Sequence, residues 1–264
     1  VEMEAAALRQ LVNAITDQIL QGSSIPKGAR PASVATPVPA RGASFRQAPD
    51  LAAYIDHTNL KPEATRPDIE RLCAEAREHA FAAVCVQPIW VDVAVRSLRG
   101  TAVAVGTVVG FPGGAVPTGA KRQDAALAIR KGATELDMVL AIGMLRQGSL
   151  DYVKQDIAGV AALCKRHGVL LKVILETATL TREEVAVGCA LAKLAGADYV
   201  KTSTGVHPAG GATEDAIVLM RQVVGDALGV KASGGIRTVD DARRMLAAGA
   251  SRIGTSAGVA MVQA

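Results

Sequence analysis

A chain of 264 residues that is 50% hydrophobic but only 3% aromatic must build its core from Ala, Val, Leu and Ile, and a single α/β barrel takes about 250 residues. The formal net charge is +4, and residues 1–49 carry five bases against three acids, which leaves +2 on the rest. So weak a basic excess, with few aromatic rings for stacking, argues against a nucleic-acid partner and is matched by a few positive charges placed for a small phosphorylated substrate.

In chain order, residues 1–21 come first as a short amphipathic pattern. Leu8, Leu11, Val12, Ile15 and Ile19 recur at three- and four-residue steps, which predicts a helix with one apolar stripe. Residues 22–49 hold five of the eleven prolines, four bases and no acid; that composition predicts a flexible, disordered linker. Residues 50–264 form the folded body. Candidate strands are Ala53–His57, Ala82–Gln87, Ala102–Val109, Thr134–Leu140, Leu170–Glu176, Asp198–Ser203, Gly229–Ser233 and Ser251–Thr255. Helical patterns fall at Asp68–His79, Gly119–Lys131, Leu150–Arg166, Arg182–Ala195, Glu214–Val224 and Val239–Ala248. Gly132, Gly168, Gly196 and Gly249 sit where helix C-terminal caps should. Eight strand–helix alternations imply an α/β fold of the (β/α)8 TIM-barrel type. The runner-up, an open Rossmann-like sheet, lacks a GxGxxG after its first strand.

The longest apolar run, Ala102–Phe111, is too short to span a bilayer, and Glu2 and Glu4 stand where a signal peptide would be basic. Cys73, Cys85, Cys164 and Cys189 form no CxxC pair and no metal-ligand spacing with the histidines. Reduced, buried thiols in a cytoplasmic protein without a metal are the expectation.

A parallel strand buried on both faces should be continuously apolar, so the residues that break this rule are the informative ones. They are Asp56, Cys85, Glu135, Asp137, Lys172, Glu176, Lys201 and Lys231. Isolated buried charges are costly, so these groups must be paired or must line a cavity, and in a barrel that cavity lies at the C-terminal ends of the strands. Lys201, in Asp198-Tyr-Val-Lys-Thr-Ser-Thr-Gly205, has the sharpest context. As a nucleophile it needs an uncharged amine, which burial and a neighbouring Lys231 would favour, with Asp137 across the mouth to exchange protons through water. The alternative is a satisfied ion pair with Asp137 or Glu135; three lysines on three successive strands weigh towards the nucleophile.

Ser233-Gly-Gly-Ile-Arg-Thr238 and Ile253-Gly-Thr-Ser-Ala-Gly258 follow the last two strands, where barrels commonly bind phosphate. They make Gly234, Gly235, Gly254, Thr255 and Ser256 candidates, with Thr204 and Gly205 completing the cradle; tight turns would use the same glycines. Asp56 and Thr58, in Asp56-His-Thr-Asn59, could orient a substrate hydroxyl or hold a lysine. Cys85 is a candidate for the substrate wall or a small core residue. His57 and His207 have no Ser or Cys nucleophile at recognisable spacing, so a hydrolase triad is not supported. Phe111-Pro-Gly-Gly114 reads as a turn over the pocket.

Asp56-His-Thr-Asn-Leu-Lys-Pro62, Gly106-Thr-Val-Val-Gly-Phe-Pro-Gly-Gly114, Glu135-Leu-Asp-Met-Val139, Leu171-Lys-Val-Ile-Leu-Glu-Thr177, Val200-Lys-Thr-Ser-Thr-Gly205 and Lys231-Ala-Ser-Gly-Gly-Ile-Arg237 resemble the deoxyribose-phosphate aldolases from about Leu51 to the end. The resemblance implies reversible cleavage of 2-deoxy-D-ribose 5-phosphate to acetaldehyde and D-glyceraldehyde 3-phosphate, with no metal or organic cofactor. It implies an imine on Lys201, Lys231 depressing its pKa, Asp137 and a water moving protons, and Lys172 in the same network. Gly205, Gly234, Gly235, Gly254 and Ser256 would hold the phosphate. Two positions depart from the family: Val206 stands where some members place a phosphate-contacting lysine, and the tail Met261-Val-Gln-Ala264 has no closing tyrosine. Residues 1–21 resemble the peptides that dock enzymes to bacterial microcompartment shells, so a shell protein is one expected partner; a helix folded back on its own barrel or at an oligomer interface is the alternative. The oligomeric state stays open, a homodimer among the options.

Overall fold

The computed structural model describes residues 48–264 and, before them, only Ala14. Apart from that residue, segment 1–21 lies outside the described residues, as does the linker up to its last two positions. Those two, Ala48 and Pro49, open a 3-10 helix, Ala48–Tyr54. The first strand therefore starts at Ile55 rather than Ala53, and Leu51 and Ala52 are buried.

Eight strands follow: β1 (Ile55–Asn59), β2 (Ala83–Val86), β3 (Ala104–Val109), β4 (Glu135–Val139), β5 (Leu170–Ile174), β6 (Tyr199–Lys201), β7 (Gly229–Ser233) and β8 (Arg252–Thr255). Every neighbour is parallel, and β8 pairs back to β1, closing the barrel. The helices between them are α1 (Arg66–Glu78), α2 (Val91–Ser97), α3 (Thr118–Arg130), α4 (Ile142–Arg146), α5 (Leu150–His167), α6 (Arg182–Leu194), α7 (Glu214–Val224), α8 (Val239–Ala247) and α9 (Gly258–Val262). The expected (β/α)8 architecture is present. The short helices α2, α4 and α9 and the 3-10 turn Pro88–Trp90 are additions to the sequence reading. None of the described helices is long and apolar enough to cross a membrane.

Local chemistry fixes where helices begin and end. Thr181 and Glu184, and likewise Thr238 and Asp241, form reciprocal capping boxes at the starts of α6 and α8. Gly168, at φ 66°, closes α5 in the left-handed conformation expected of a cap.

Alternation along each strand divides the side chains into two sets. Leu136 and Met138 on β4, Leu171 and Val173 on β5, and Val200 on β6 point outward into the main apolar core beneath the helices. Each such side chain contributes roughly 1.5–3 kcal/mol by leaving water. The helices over them are Ala-rich: α6 buries Val185, Ala186, Gly188, Cys189, Ala190, Leu191 and Ala192, so small side chains let it approach the sheet and its neighbours closely. All four cysteines are free and buried.

The other set points into the barrel, and it is charged. Many barrels fill this space with layers of Val, Ile and Leu. Here Asp56, Glu135, Asp137, Lys172, Lys201, Lys231 and Arg252 fill it, all buried.

Candidate active site

Strand register assembles the site. Lys201 ends β6 directly beside Lys231 of β7, and Asp137 of β4 stands beside Lys172 of β5. From these positions Lys201 Nζ and Lys231 Nζ each donate to the same atom, Asp137 Oδ2, at 2.7 Å. Lys172 Nζ donates to Asp137 Oδ1 at 2.9 Å and to Glu135 Oε2. Asp56 of β1 accepts from Lys231 through Oδ2 and from Arg252 of β8 through Oδ1. Arg252 also donates to Glu135 Oε1 at 2.7 Å, and its guanidinium lies 5.9 Å from the Tyr199 ring centroid. Asp56 holds a lysine, as one of its two readings expected.

The three lysines are not equivalent. Burial lowers the Lys201 pKa, the single carboxylate Asp137 pulls it back up, and the Lys231 charge pushes it down; the outcome is below the ordinary lysine value. Burial also acts on Lys231, but Asp137 and Asp56 outweigh it and hold that ammonium above the ordinary value. Lys172, gripped by Asp137, Glu135 and Asp56, is held well above it. Asp137 is kept well below the carboxylate range despite burial, because three ammonium groups surround it. The site thus pairs an amine held below the ordinary lysine value with a neighbour held above it.

On the opposite wall, Cys85 packs with Leu60, Val108 and Phe111 in a small apolar cluster separate from the main core. Burial pushes the Cys85 thiol up to about 11, with Asp137 adding to the rise, so it stays protonated. Phe111 reaches the cluster from the turn Gly110–Gly114, where Gly114 N donates to Gly110 O at 2.8 Å.

The glycine-rich loops meet beyond β6 and β7. A side chain on Gly211 would collide with Gly234 O at 2.2 Å, so the two loops touch backbone to backbone. Gly205 and Gly235 are exposed beside this contact, and Ser256, after β8, is exposed as well. Gly254 has a different place: a Cβ there would lie 2.2 Å from Ser233 Oγ and 3.0 Å from Lys231 Cε, so its bareness makes room for the site. Thr255 is turned away, donating to Ile236 O at 2.8 Å, and the Thr58 hydroxyl donates to Asp56 O at 2.8 Å. Thr204 is tied down by Glu176, whose carboxylate accepts from both its backbone N–H and its hydroxyl. Val206 is 56% exposed at the loop edge. His57 points out of the barrel, 2.7 Å from Glu75 of α1.

Sequence reasoning missed three participants. Arg252 closes the charge network, and the hydroxyls of Ser203, just beyond β6, and Ser233, at the end of β7, are buried with no hydrogen-bond partner among the described residues. The serines lie inside the motifs quoted above, where their neighbours Thr204, Gly205, Gly234 and Gly235 drew notice instead. Arg252 broke the apolar strand rule like the other charges, within the predicted strand Ser251–Thr255, and was passed over beside the glycine-rich motif that follows it.

Residues 51–264 match the DeoC/LacD family of aldolases. The chain belongs to that family. Among curated relatives, the deoxyribose-phosphate aldolase of Thermoanaerobacter sp. (strain X514) is 54% identical over 215 residues, covering 81% of this chain and 96% of that protein. That of Brevibacillus brevis is 55% identical over 213 residues, covering 81% and 95%. The solved deoxyribose phosphate aldolase of Aeropyrum pernix, described as a tetramer, superposes with a TM-score of 0.77 at 34% identity over 82% of this chain and 91% of that one. A Coccidioides immitis structure described provisionally as a deoxyribose-phosphate aldolase gives a TM-score of 0.85 at 40% identity, covering 98% and 96%. As a family member the chain is an aldolase, a lyase acting on carbon–carbon bonds.

Proposed function

We propose that this aldolase reversibly cleaves 2-deoxy-D-ribose 5-phosphate to acetaldehyde and D-glyceraldehyde 3-phosphate through an imine on Lys201. The observation that carries the reading is the sharing of Asp137 Oδ2 by Lys201 and Lys231 inside a closed barrel. Lys231 is held there above the ordinary lysine value and Lys201 below it.

In this reading the neutral Lys201 amine adds to the C1 aldehyde, and loss of water gives the iminium ion. Asp137 and a water carry the protons for this step. The C3 hydroxyl then loses its proton, the C2–C3 bond breaks, and its electron pair flows into the iminium to leave an enamine. D-Glyceraldehyde 3-phosphate departs; protonation of the enamine at C2 and hydrolysis release acetaldehyde and restore the amine. The apolar wall of Cys85, Val108 and Phe111 suits a carbon without a hydroxyl, which is what C2 of a 2-deoxy sugar presents. Gly205, Gly234, Gly235 and Ser256, with the unpartnered hydroxyls of Ser203 and Ser233, suit the phosphorylated end.

Comparing kcat/KM for 2-deoxyribose 5-phosphate, ribose 5-phosphate and unphosphorylated 2-deoxyribose tests the assignment. The deoxy phosphate should lead both by at least tenfold. Equal or faster turnover of ribose 5-phosphate would contradict it and favour another phosphorylated sugar; turnover of none would favour a non-catalytic barrel.

For residues 1–21 we propose docking to a microcompartment shell, carried by the apolar stripe on a proline-rich tether. Deleting residues 1–45 should leave aldolase kinetics unchanged and abolish co-localisation with a shell. Loss of folding on that deletion would contradict the idea.

A further inference from the structure

The charged groups facing one another inside the barrel do not balance. β1 supplies Asp56, β4 supplies Glu135 and Asp137, β5 supplies Lys172, β6 supplies Lys201 and the Tyr199 phenol, β7 supplies Lys231 and β8 supplies Arg252. β2 contributes only the thiol of Cys85, and the sequence of β3 has no titratable side chain. Glu176, beyond β5, accepts from Thr204 and touches none of these cations, and Asp198, before β6, accepts from Leu171 N and acts on Lys172 and Glu135 only through space. In direct contact, therefore, four cations share three carboxylates.

Their contacts are uneven as well. Arg252 touches Asp56 and Glu135; Lys231 touches Asp56 and Asp137; Lys172 touches Glu135, Asp137 and, at 3.4 Å, Asp56. Among the described residues Lys201 has Asp137 alone, on an oxygen it shares with Lys231.

We propose that Arg252 is a positioning residue for the nucleophile: by occupying Asp56 and Glu135 it leaves four cations to share three carboxylates, and Lys201 is the one left with half of a single oxygen. A guanidinium does not shed its proton in a protein, whereas a buried ammonium does. The surplus positive charge in this low-dielectric interior therefore leaves from the lysine held least. Arg252 acts through Asp56 and Glu135, and the register explains how: it lies beside Lys231 in the sheet, and its fork spans the barrel from β1 to β4.

The inference rests on the imine reading, and its test separates the two. The fraction of enzyme trapped by borohydride with acetaldehyde, and kcat/KM, are measured against pH for wild type first. No adduct at any pH would remove the imine reading itself. Given a wild-type acid limb, Arg252→Met should move that limb up by roughly one pH unit, because three carboxylates then match three ammonium groups. Glu135→Gln should move it down by a similar amount, and the double variant Arg252→Met/Glu135→Gln should return it close to wild type. Arg252→Lys should leave it near the wild-type position. Thermal melts confirm folding; if Arg252→Met does not fold, Glu135→Gln and the double variant still decide. A role in packing alone predicts lower kcat with an unmoved limb, and an unmoved limb in Glu135→Gln or an unrestored one in the double variant overturns the proposal.

Discussion

Lys121 and Lys201 are both buried lysines that burial pushes below the ordinary pKa, yet they keep opposite company. Lys121, in the first turn of α3, is wholly enclosed and forms a one-to-one pair with Asp156 of α5, which also accepts from Thr118 at 2.7 Å. Lys201 stands at the C-terminal end of β6 and shares its carboxylate oxygen with a second lysine. The pair between helices is a closed account of charge: one cation, one anion, no access. In the barrel network four cations contact three carboxylates, and Lys201 is the member at the C-terminal end of its strand. Burial and a lowered pKa do not make a nucleophile by themselves; an incomplete claim on a partner, at a place a substrate can reach, is the additional requirement.

The sharpest way to break this comparison is to remove each amine. Lys201→Leu should fold, since the change relieves a surplus charge, and should lose about a thousandfold or more in kcat, read in a retro-aldol assay. Lys121→Met should do the reverse. It strands the Asp156 carboxylate in an apolar helix interface and should cost about 3–5 kcal/mol in a denaturant titration. Activity per folded molecule should stay at the wild-type level, and Lys121→Met/Asp156→Leu should recover most of the loss. If Lys121→Met abolished turnover without loss of stability, the distinction drawn here would fail.

Smaller changes sharpen the picture of the mouth. Gly254→Ala introduces a Cβ 2.2 Å from Ser233 Oγ and 3.0 Å from Lys231 Cε, so the serine must turn and the lysine stem must shift. A roughly tenfold fall in kcat is expected from misplacement of this order, with little change in melting temperature. Val206→Lys restores a cation at an exposed loop edge and should lower KM for the phosphorylated substrate about threefold, an effect that salt should erase.

Most of the eight strands could be read from sequence because apolar residues dominate them and turn residues bound them, and Gly132, Gly168, Gly196 and Gly249 marked the helix ends. The short helices could not. Val91–Ser97 reads Val-Asp-Val-Ala-Val-Arg-Ser, whose β-branched alternation suggests a strand; it becomes a helix because the preceding 3-10 turn and its contacts with α1 and β3 dictate the path. Ala53 and Tyr54 were read as the start of β1 and are bent into the preceding 3-10 helix. In the site, Lys201, Lys231 and Asp137 were readable because charge in a buried strand is conspicuous. What sequence did not specify was the face each residue takes. Gly254 points inward and Thr255 outward; one step of register would have exchanged them. Arg252 owes its place to the same parity, and its partners lie on β1 and β4, far away in the chain.

The central claim is that the Lys201 amine is free often enough to condense with an aldehyde. Borohydride reduction in acetaldehyde, followed by intact mass and peptide mapping, tests it most directly. The account predicts one ethyl group per chain, on the peptide carrying Lys201 and absent in Lys201→Leu. An unmodified protein, or an adduct carried instead by Lys121, Lys172 or Lys231, would contradict it.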